Sequence, residues 1–183
     1  MSQKHRVEIP GGIFHITARG NAQAEIFRDE IDYLEFLRKL ALVVAEARWL
    51  CHAYCLLPNH YHLLVETPEP TLAFGMHRLN GRYARWFNRR ANRVGHVFQG
   101  PYYAEPVSGD EHLLELFRYI ALNPVRAGLC SDPAEWRWSS YAATIGLADA
   151  PSFLTLDLAR SLFGTAGLRS FVAAVLSQRP QPA

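Results

Sequence analysis

Hydrophobic periods along the chain follow the order β-α-β-β-α-β-α, which predicts an α+β domain: an antiparallel sheet with helices packed on it. Three observations lead there. Strand-like alternation and helix-like spacing succeed one another with no internal repeat or low-complexity tract. Two apolar strand segments flank the turn pair Pro58-Asn59. The 183 residues, 49% hydrophobic and 20% charged, suffice for a domain with a real core.

The elements can be justified in order. "GGIFHITARGN" (Gly11–Asn21) alternates apolar and polar residues and reads as a strand. Glu30–Leu50 has helical spacing through Ile31, Leu34, Leu37 and Leu40. "CHAYCLL" and "HYHLLVE" form the predicted hairpin. Leu72–Arg90 returns to helix, with Leu72, Met76, Leu79, Tyr83 and Trp86 as its apolar stripe. His96–Val107 reads as a strand broken at Gly100-Pro101. A helix from about Asp110 to Leu122 follows, opened by a capping box of Ser108 with Glu111 and ended or bent at Asn123-Pro124. Beyond Gly128 the chain is irregular, with "WRWSSY" as an aromatic cluster. Two short helices are expected between about Leu156 and Ser177. The expected division is a main domain over 1–141 and a helical extension over 142–183, packed on or near it.

Composition excludes several classes. No apolar run approaches the ~20 residues of a membrane span. The first residues lack the apolar core of a signal peptide. Cys51, Cys55 and Cys130 are too few for a disulfide framework and point to a reducing cytoplasm. Net charge is only +2, but all of the 19 basic residues except Lys4 and Lys39 are arginine, whose planar fork suits phosphate oxygens.

"LLPNHYHLLVETP" carries two imidazoles in an apolar run. Residues i and i+2 of a strand share a face, so His60 and His62 project together, with Cα atoms roughly 6–7 Å apart. At that spacing they can converge on one metal ion, while Tyr61, Leu63 and Val65 take the other face. A zinc site using Cys51 and Cys55 fails on distance, because four strand residues span ~13 Å and zinc–sulfur bonds are ~2.3 Å. Both cysteines read as core. Two histidines with an amide or water oxygen suit Mn²⁺, or Mg²⁺ where phosphate oxygens complete the shell.

In "DEHLLELFRYIALN" the apolar stripe is Leu113, Leu116, Phe117 and Ile120. At ~100° per residue, Tyr119 sits off its centre, with Asn123 one turn on and His112 and Arg126 on the same flank. Such a tyrosine is either a wet rim residue or a nucleophile. A phenol, with pKa near ~10, attacks phosphorus only with help, which a metal ion and a nearby cation can give. Tyr102 and Tyr103 compete for the role; adjacent strand residues face opposite ways, so one of them belongs to the core.

From Pro70 to Ala104 there is no acidic residue, yet there are Arg78, Arg82, Arg85, Arg89, Arg90 and Arg93. Arg78, Arg82, Arg85 and Arg89 lie on one helix face. Without acids to pair them, they predict a phosphate backbone as partner. Arg19, at the end of the first strand, is a further candidate, and Phe98, Tyr102 or Tyr103 could add base stacking.

Taken together, "VEIPGGIFHITARGN", "IFRDEIDYLEFL", "LLPNHYHLLVETP", "RYIALNPVRAGL" and "EWRWSSY" resemble the REP-associated tyrosine transposases. These are relatives of the IS200/IS605 transposases within the HUH endonuclease superfamily. The resemblance runs from about Arg6 to Tyr141. It implies an RRM-like (ferredoxin-like) antiparallel sheet with the histidines on a central strand. It implies His60 and His62 as ligands of a divalent metal, Mg²⁺ or Mn²⁺, Asn123 as the third ligand and Tyr119 as nucleophile. Tyr61 departs from the family's usual aliphatic residue. The implied substrate is a single-stranded, REP-like DNA hairpin, nicked and rejoined through a 5′-phosphotyrosine, by a monomer or a homodimer. The alternatives are a non-catalytic nucleic-acid-binding protein on the same fold and a rolling-circle initiator or relaxase-type nickase. The short chain and "NPVRAGL" weigh against the nickase.

Overall fold

The computed structural model describes residues 8–164 and 167–176; the predicted helix end at Ser177 lies outside them. Strands β1 (Gly12–Arg19), β2 (Leu50–Leu57), β3 (His60–Thr67) and β4 (Tyr103–Pro106) form one antiparallel sheet in the order β2-β3-β1-β4. Helices α1 (Glu30–Ala47) and α2 (Leu72–Arg90) connect the strands. Helices α3 (Gly109–Arg126), α4 (Tyr141–Thr144), α5 (Asp157–Phe163) and α6 (Gly167–Leu176) follow. This is the expected α+β architecture, with the histidine motif on a central strand.

Strand alternation sorts the side chains into two cores. Phe14, Ile16, Ala18, Tyr54, Leu56, Tyr61, Leu63 and Val65 face α1 and α2. Ala53, Cys55, Leu57 and Leu64 face α3, α5 and α6. The sheet is therefore a middle layer. Tyr61 is fully buried against Phe36, and its hydroxyl donates to Asn80 Oδ1 at 2.6 Å. The atypical residue of the histidine motif is thus a satisfied core tyrosine. Cys51 and Cys55 are buried free thiols, as expected. Among the described residues no helix is long and apolar enough to cross a membrane.

Several boundaries differ from expectation. Helix α1 buries Tyr33, Phe36, Leu40, Val43, Val44 and Ala47, while Ile31 and Leu34 are about half exposed. The helix carries two apolar rows, and tertiary packing selects the aromatic one. Its N-cap is Asp29, whose side chain accepts from the Ile31 and Asp32 amides. The fourth strand is only Tyr103–Pro106. Residues 96–102 are loop, paired with the sheet at a bridge between Phe98 and Gly20, and the Phe98 ring packs edge-on against Tyr61. Ser108 is the N-cap of α3 but makes no side-chain cap bond, so the expected capping box is absent. Instead the Ser108 amide donates to His112 Nδ1 at 3.3 Å. Helix α3 continues through Pro124 to Arg126.

The "WRWSSY" segment covers the outer edge of β2. The Leu56 amide donates to the Trp138 carbonyl, the Ser140 amide to the Tyr54 carbonyl, and the Trp136 indole to the Leu56 carbonyl. The Trp138 ring stacks on Tyr33 at 4.4 Å. An exposed strand edge invites foreign pairing, and these contacts close it. Past them, α5 and α6 add Ala159, Leu168 and Val172 to the core beneath α3.

One buried charge ties the α1/α2 layer together. Asp32 has no exposed side-chain surface. It accepts from Arg28 Nε at 2.8 Å and from Arg90 Nη1 at 2.6 Å. Asp32→Ala should lower unfolding stability by about 2–4 kcal/mol in a urea titration, since it removes several charge-assisted bonds. The figure is not larger because Arg28 and Arg90 can turn to water. A loss below about 1 kcal/mol would mean the two arginines re-solvate freely.

Candidate active site

The sheet face that receives α3 carries the polar residues of β1, β3 and β4. The register sets them in rungs: His60 opposite Arg19; His62 opposite Thr17, which is opposite Tyr103; and Leu64 opposite His15, which is opposite Glu105. Helix α3 packs chiefly on β2 and β3. Arg19, Tyr103 and Glu105 stay exposed on the remaining part of that face.

His60 and His62 point to this face together, with ring centroids 5.1 Å apart. His60 Nδ1 lies 2.7 Å from Asn59 Oδ1. A carbonyl oxygen only accepts, so that nitrogen carries the proton and His60 Nε2 keeps its lone pair. His62 Nδ1 lies 3.0 Å from His15 Nε2, and the two rings stack. With the shared proton on His62 Nδ1, its Nε2 also keeps a lone pair. That Nε2 is buried and has no hydrogen-bond partner among the described residues.

Burial also keeps both rings neutral. His60 is pushed down to about 4, first by burial and then by the Arg19 charge. His62 is lowered well below its ordinary value by burial, then by its neighbours His15 and His60. His15 is lowered by burial, against the opposing pull of Glu105. A histidine must be neutral to bind a metal.

Helix α3 brings Tyr119 onto His62 and His15. Its ring meets His62 edge-on at 5.4 Å and His15 edge-on at 5.8 Å. The Arg126 guanidinium lies over the Tyr119 ring, 5.1 Å from its centroid. The tyrosine is 37% exposed, enough to be reached from outside. One turn on, the buried Asn123 donates its Nδ2 to the Tyr119 carbonyl at 2.9 Å. Its amide oxygen makes no such bond among the described residues.

Two free imidazole nitrogens and an amide oxygen are a donor set that fits Mn²⁺ or Mg²⁺. Among the described residues no three His, Cys, Asp or Glu side chains form a metal-holding cluster.

The remaining candidates divide. Arg19 and Tyr103 share the histidine face, and Tyr103 is 61% exposed. Tyr102 is corrected: it lies in the core at 8% exposure, so it offers no base-stacking surface. The unpaired appearance of the α2 arginines is also corrected. Glu46 of α1 pairs with Arg82 at 2.9 Å and Arg78 at 3.9 Å, while Asp29 and Asp32 hold Arg90. A sequence read along one helix cannot see acids on the next. Arg85 and Arg89 form no ion pair among the described residues. Helix α2 packs on the sheet face opposite the histidines.

His15 is the site residue that the sequence reading missed. The signal was present: in "IFHITAR" it lies at the same parity as Thr17 and Arg19, on the polar side of a strand whose other side is Phe14, Ile16 and Ala18.

A family model described as "Transposase IS200 like" matches residues 10–123. A Haemophilus influenzae protein assigned as a REP-associated tyrosine transposase is 28% identical over 100 residues. That match covers 49% of this chain and 57% of the relative, so the chain spans little more than half of the relative's length. A solved REP-associated tyrosine transposase bound to a REP hairpin superposes with a TM-score of 0.68 at 18% identity. It covers 86% of this chain and 96% of its own, a likeness of fold.

Proposed function

Because the chain belongs to the IS200-like transposase family, we propose that it nicks and rejoins single-stranded DNA at REP-type hairpins through a phosphotyrosine at Tyr119. The observation that carries this reading is the Tyr119 ring packed edge-on against His62, whose buried Nε2 has no partner.

The Tyr119 hydroxyl attacks the scissile phosphorus. A tyrosine–phosphate bond forms, the bond to the departing 3′ oxygen breaks, and that oxygen takes up a proton. The Arg126 guanidinium, which lies over the Tyr119 ring, supplies a positive charge beside the reacting phosphate. Burial by α3 and neighbouring rings fixes the His60 and His62 side chains before DNA arrives, so little reorganisation remains. A divalent cation held by His60, His62 and Asn123 would neutralise the phosphate charge. In the reverse step a second 3′ hydroxyl attacks phosphorus and Tyr119 leaves. The bond energy stays in the phosphotyrosine, so no nucleotide cofactor is required. The test is incubation of the chain with labelled single-stranded REP-type hairpins and Mn²⁺, reading a denaturation-resistant adduct. No adduct with any hairpin would overturn the reading.

Tyr119 meets the histidines of its own chain, which supports a site complete within one protomer. A mixture of Tyr119→Phe and His62→Ala chains should therefore form no adduct. A restored adduct would mean that tyrosine and histidines come from different copies.

The single strand is proposed to run over Arg19 and Tyr103, beside the histidines, with Arg85 and Arg89 taking phosphates of a flanking segment. Arg19→Ala should reduce the slope of log affinity against log salt by roughly 0.7, one phosphate contact on a single strand. Arg82→Ala should change it less, because Glu46 already neutralises that side chain. Equal slopes for wild type and Arg19→Ala would move the DNA path elsewhere.

A further inference from the structure

The segment between β1 and α1 has a combination of features that its sequence does not announce. Residues 21–25 are all exposed, yet their backbone is pinned. The Gly20 amide donates to the Asn59 carbonyl at 2.8 Å and the Asn21 amide to the Val97 carbonyl at 2.9 Å. The Ala24 amide donates back to the Asn21 carbonyl at 3.0 Å, and the Ile26 amide to the Pro58 carbonyl at 2.7 Å. Gly20 has no room for a side chain, since a Cβ there would meet the Ala24 carbonyl oxygen at 2.0 Å.

Two consecutive residues, Ala22 (φ 51°) and Gln23 (φ 60°), hold left-handed backbone conformations. Neither is glycine, so both are strained. Such strain persists only where surrounding contacts over-determine it, and it collects at ligand-contacting positions. Here the contacts come from the turn that starts β3. Asn59 Nδ2 donates to the Gln23 carbonyl at 3.2 Å, while Asn59 Oδ1 accepts from His60 Nδ1 at 2.7 Å. One carboxamide therefore joins the strained segment to a histidine of the candidate site.

The side chains this device displays are Asn21 and Gln23. Neither carboxamide makes a hydrogen bond among the described residues. Each offers a donor and an acceptor side by side, the pattern that pairs with a base edge. Arg19, immediately before, supplies a charge for the backbone. A solvated loop needs neither the strain nor the link to His60.

We infer that the Gly20–Glu25 segment is a base-reading element. On this inference Asn21 and Gln23 contact unpaired DNA bases next to the scissile phosphate, and Asn59 holds them in register with His60. The inference rests on the proposed single-strand chemistry and adds to it the residues that choose the sequence.

The test is binding rather than cleavage. Fluorescent DNA hairpins with a single-stranded foot are prepared with each foot position in turn A, C, G or T. Affinities for the full chain are measured by anisotropy without divalent cation, so no adduct forms. Wild type should prefer one base at two or more positions. Asn21→Ala/Gln23→Ala should lose at least about fivefold of that preference at one of them, the low end of a bidentate base contact. The salt slope should not change, since no charge is removed. Both side chains are exposed, so an unchanged melting temperature checks that the variant folds. Preference retained in the variant, or absent from wild type, overturns the inference. A missing adduct in the separate cleavage assay would instead overturn the proposed chemistry and leave the binding result to stand by itself.

Discussion

Tyr119→Phe should lose the covalent adduct and all strand cleavage, by at least about a thousandfold, while hairpin affinity stays within about twofold. The large kinetic effect follows from deleting the hydroxyl that attacks phosphorus. The small binding effect follows from the geometry. The phenyl ring keeps its edge contacts to His62 and His15, and only the hydroxyl is lost. Fold stability should be preserved, since the side chain is 37% exposed. Cleavage is read on a denaturing gel and affinity by anisotropy on the same hairpin. If the variant still cleaves and Tyr103→Phe does not, the nucleophile is on β4, where Tyr103 shares the His62 rung.

His62→Ala should abolish cleavage and weaken Mn²⁺ binding by more than about a hundredfold in calorimetry. That exceeds the ten- to hundredfold usually lost when only a ligand's hydrogen-bond partner is removed. His60→Ala should behave similarly. The comparison with His15→Ala is informative. His15 touches His62 Nδ1 and not the free Nε2, so its loss should cost about ten- to hundredfold. His15→Gln, which can still pair with His62 Nδ1, should recover part of it. If His15→Ala matches His62→Ala, His15 is itself a ligand. If Mn²⁺ affinity is the same in all the variants, the histidine cluster is a structural feature of the sheet.

How far the sequence could be read depended on how local each signal was. The hairpin around Pro58-Asn59 and helix α2 needed only alternation and spacing over short windows, and they stand at the expected boundaries. The shared face of His60 and His62 follows from strand geometry alone. Their Nδ1 partners did not follow. Asn59 was next in sequence and passed for a turn residue. His15 lies on another strand, and nothing in a one-dimensional pattern states that β1 lies beside β3. Ile31 and Leu34 misled because a helix with two apolar rows does not say which one meets the sheet. The arginines of α2 misled for the opposite reason: their partner, Glu46, belongs to a different helix. Tyr102 and Tyr103 could be separated by face but not assigned until β4 was docked, and burial then placed Tyr102 in the core.

The most direct check on the account is to identify the atom that carries the DNA. A single-stranded hairpin is cleaved in Mn²⁺, the adduct is digested with trypsin and nuclease, and the modified peptide is sequenced by tandem mass spectrometry. The account predicts a nucleotide joined through its 5′ phosphate to Tyr119, with the other cleavage product ending in a free 3′ hydroxyl. A nucleotide on Tyr103, a link through a 3′ phosphate, or cleavage with no protein-bound nucleotide would contradict it.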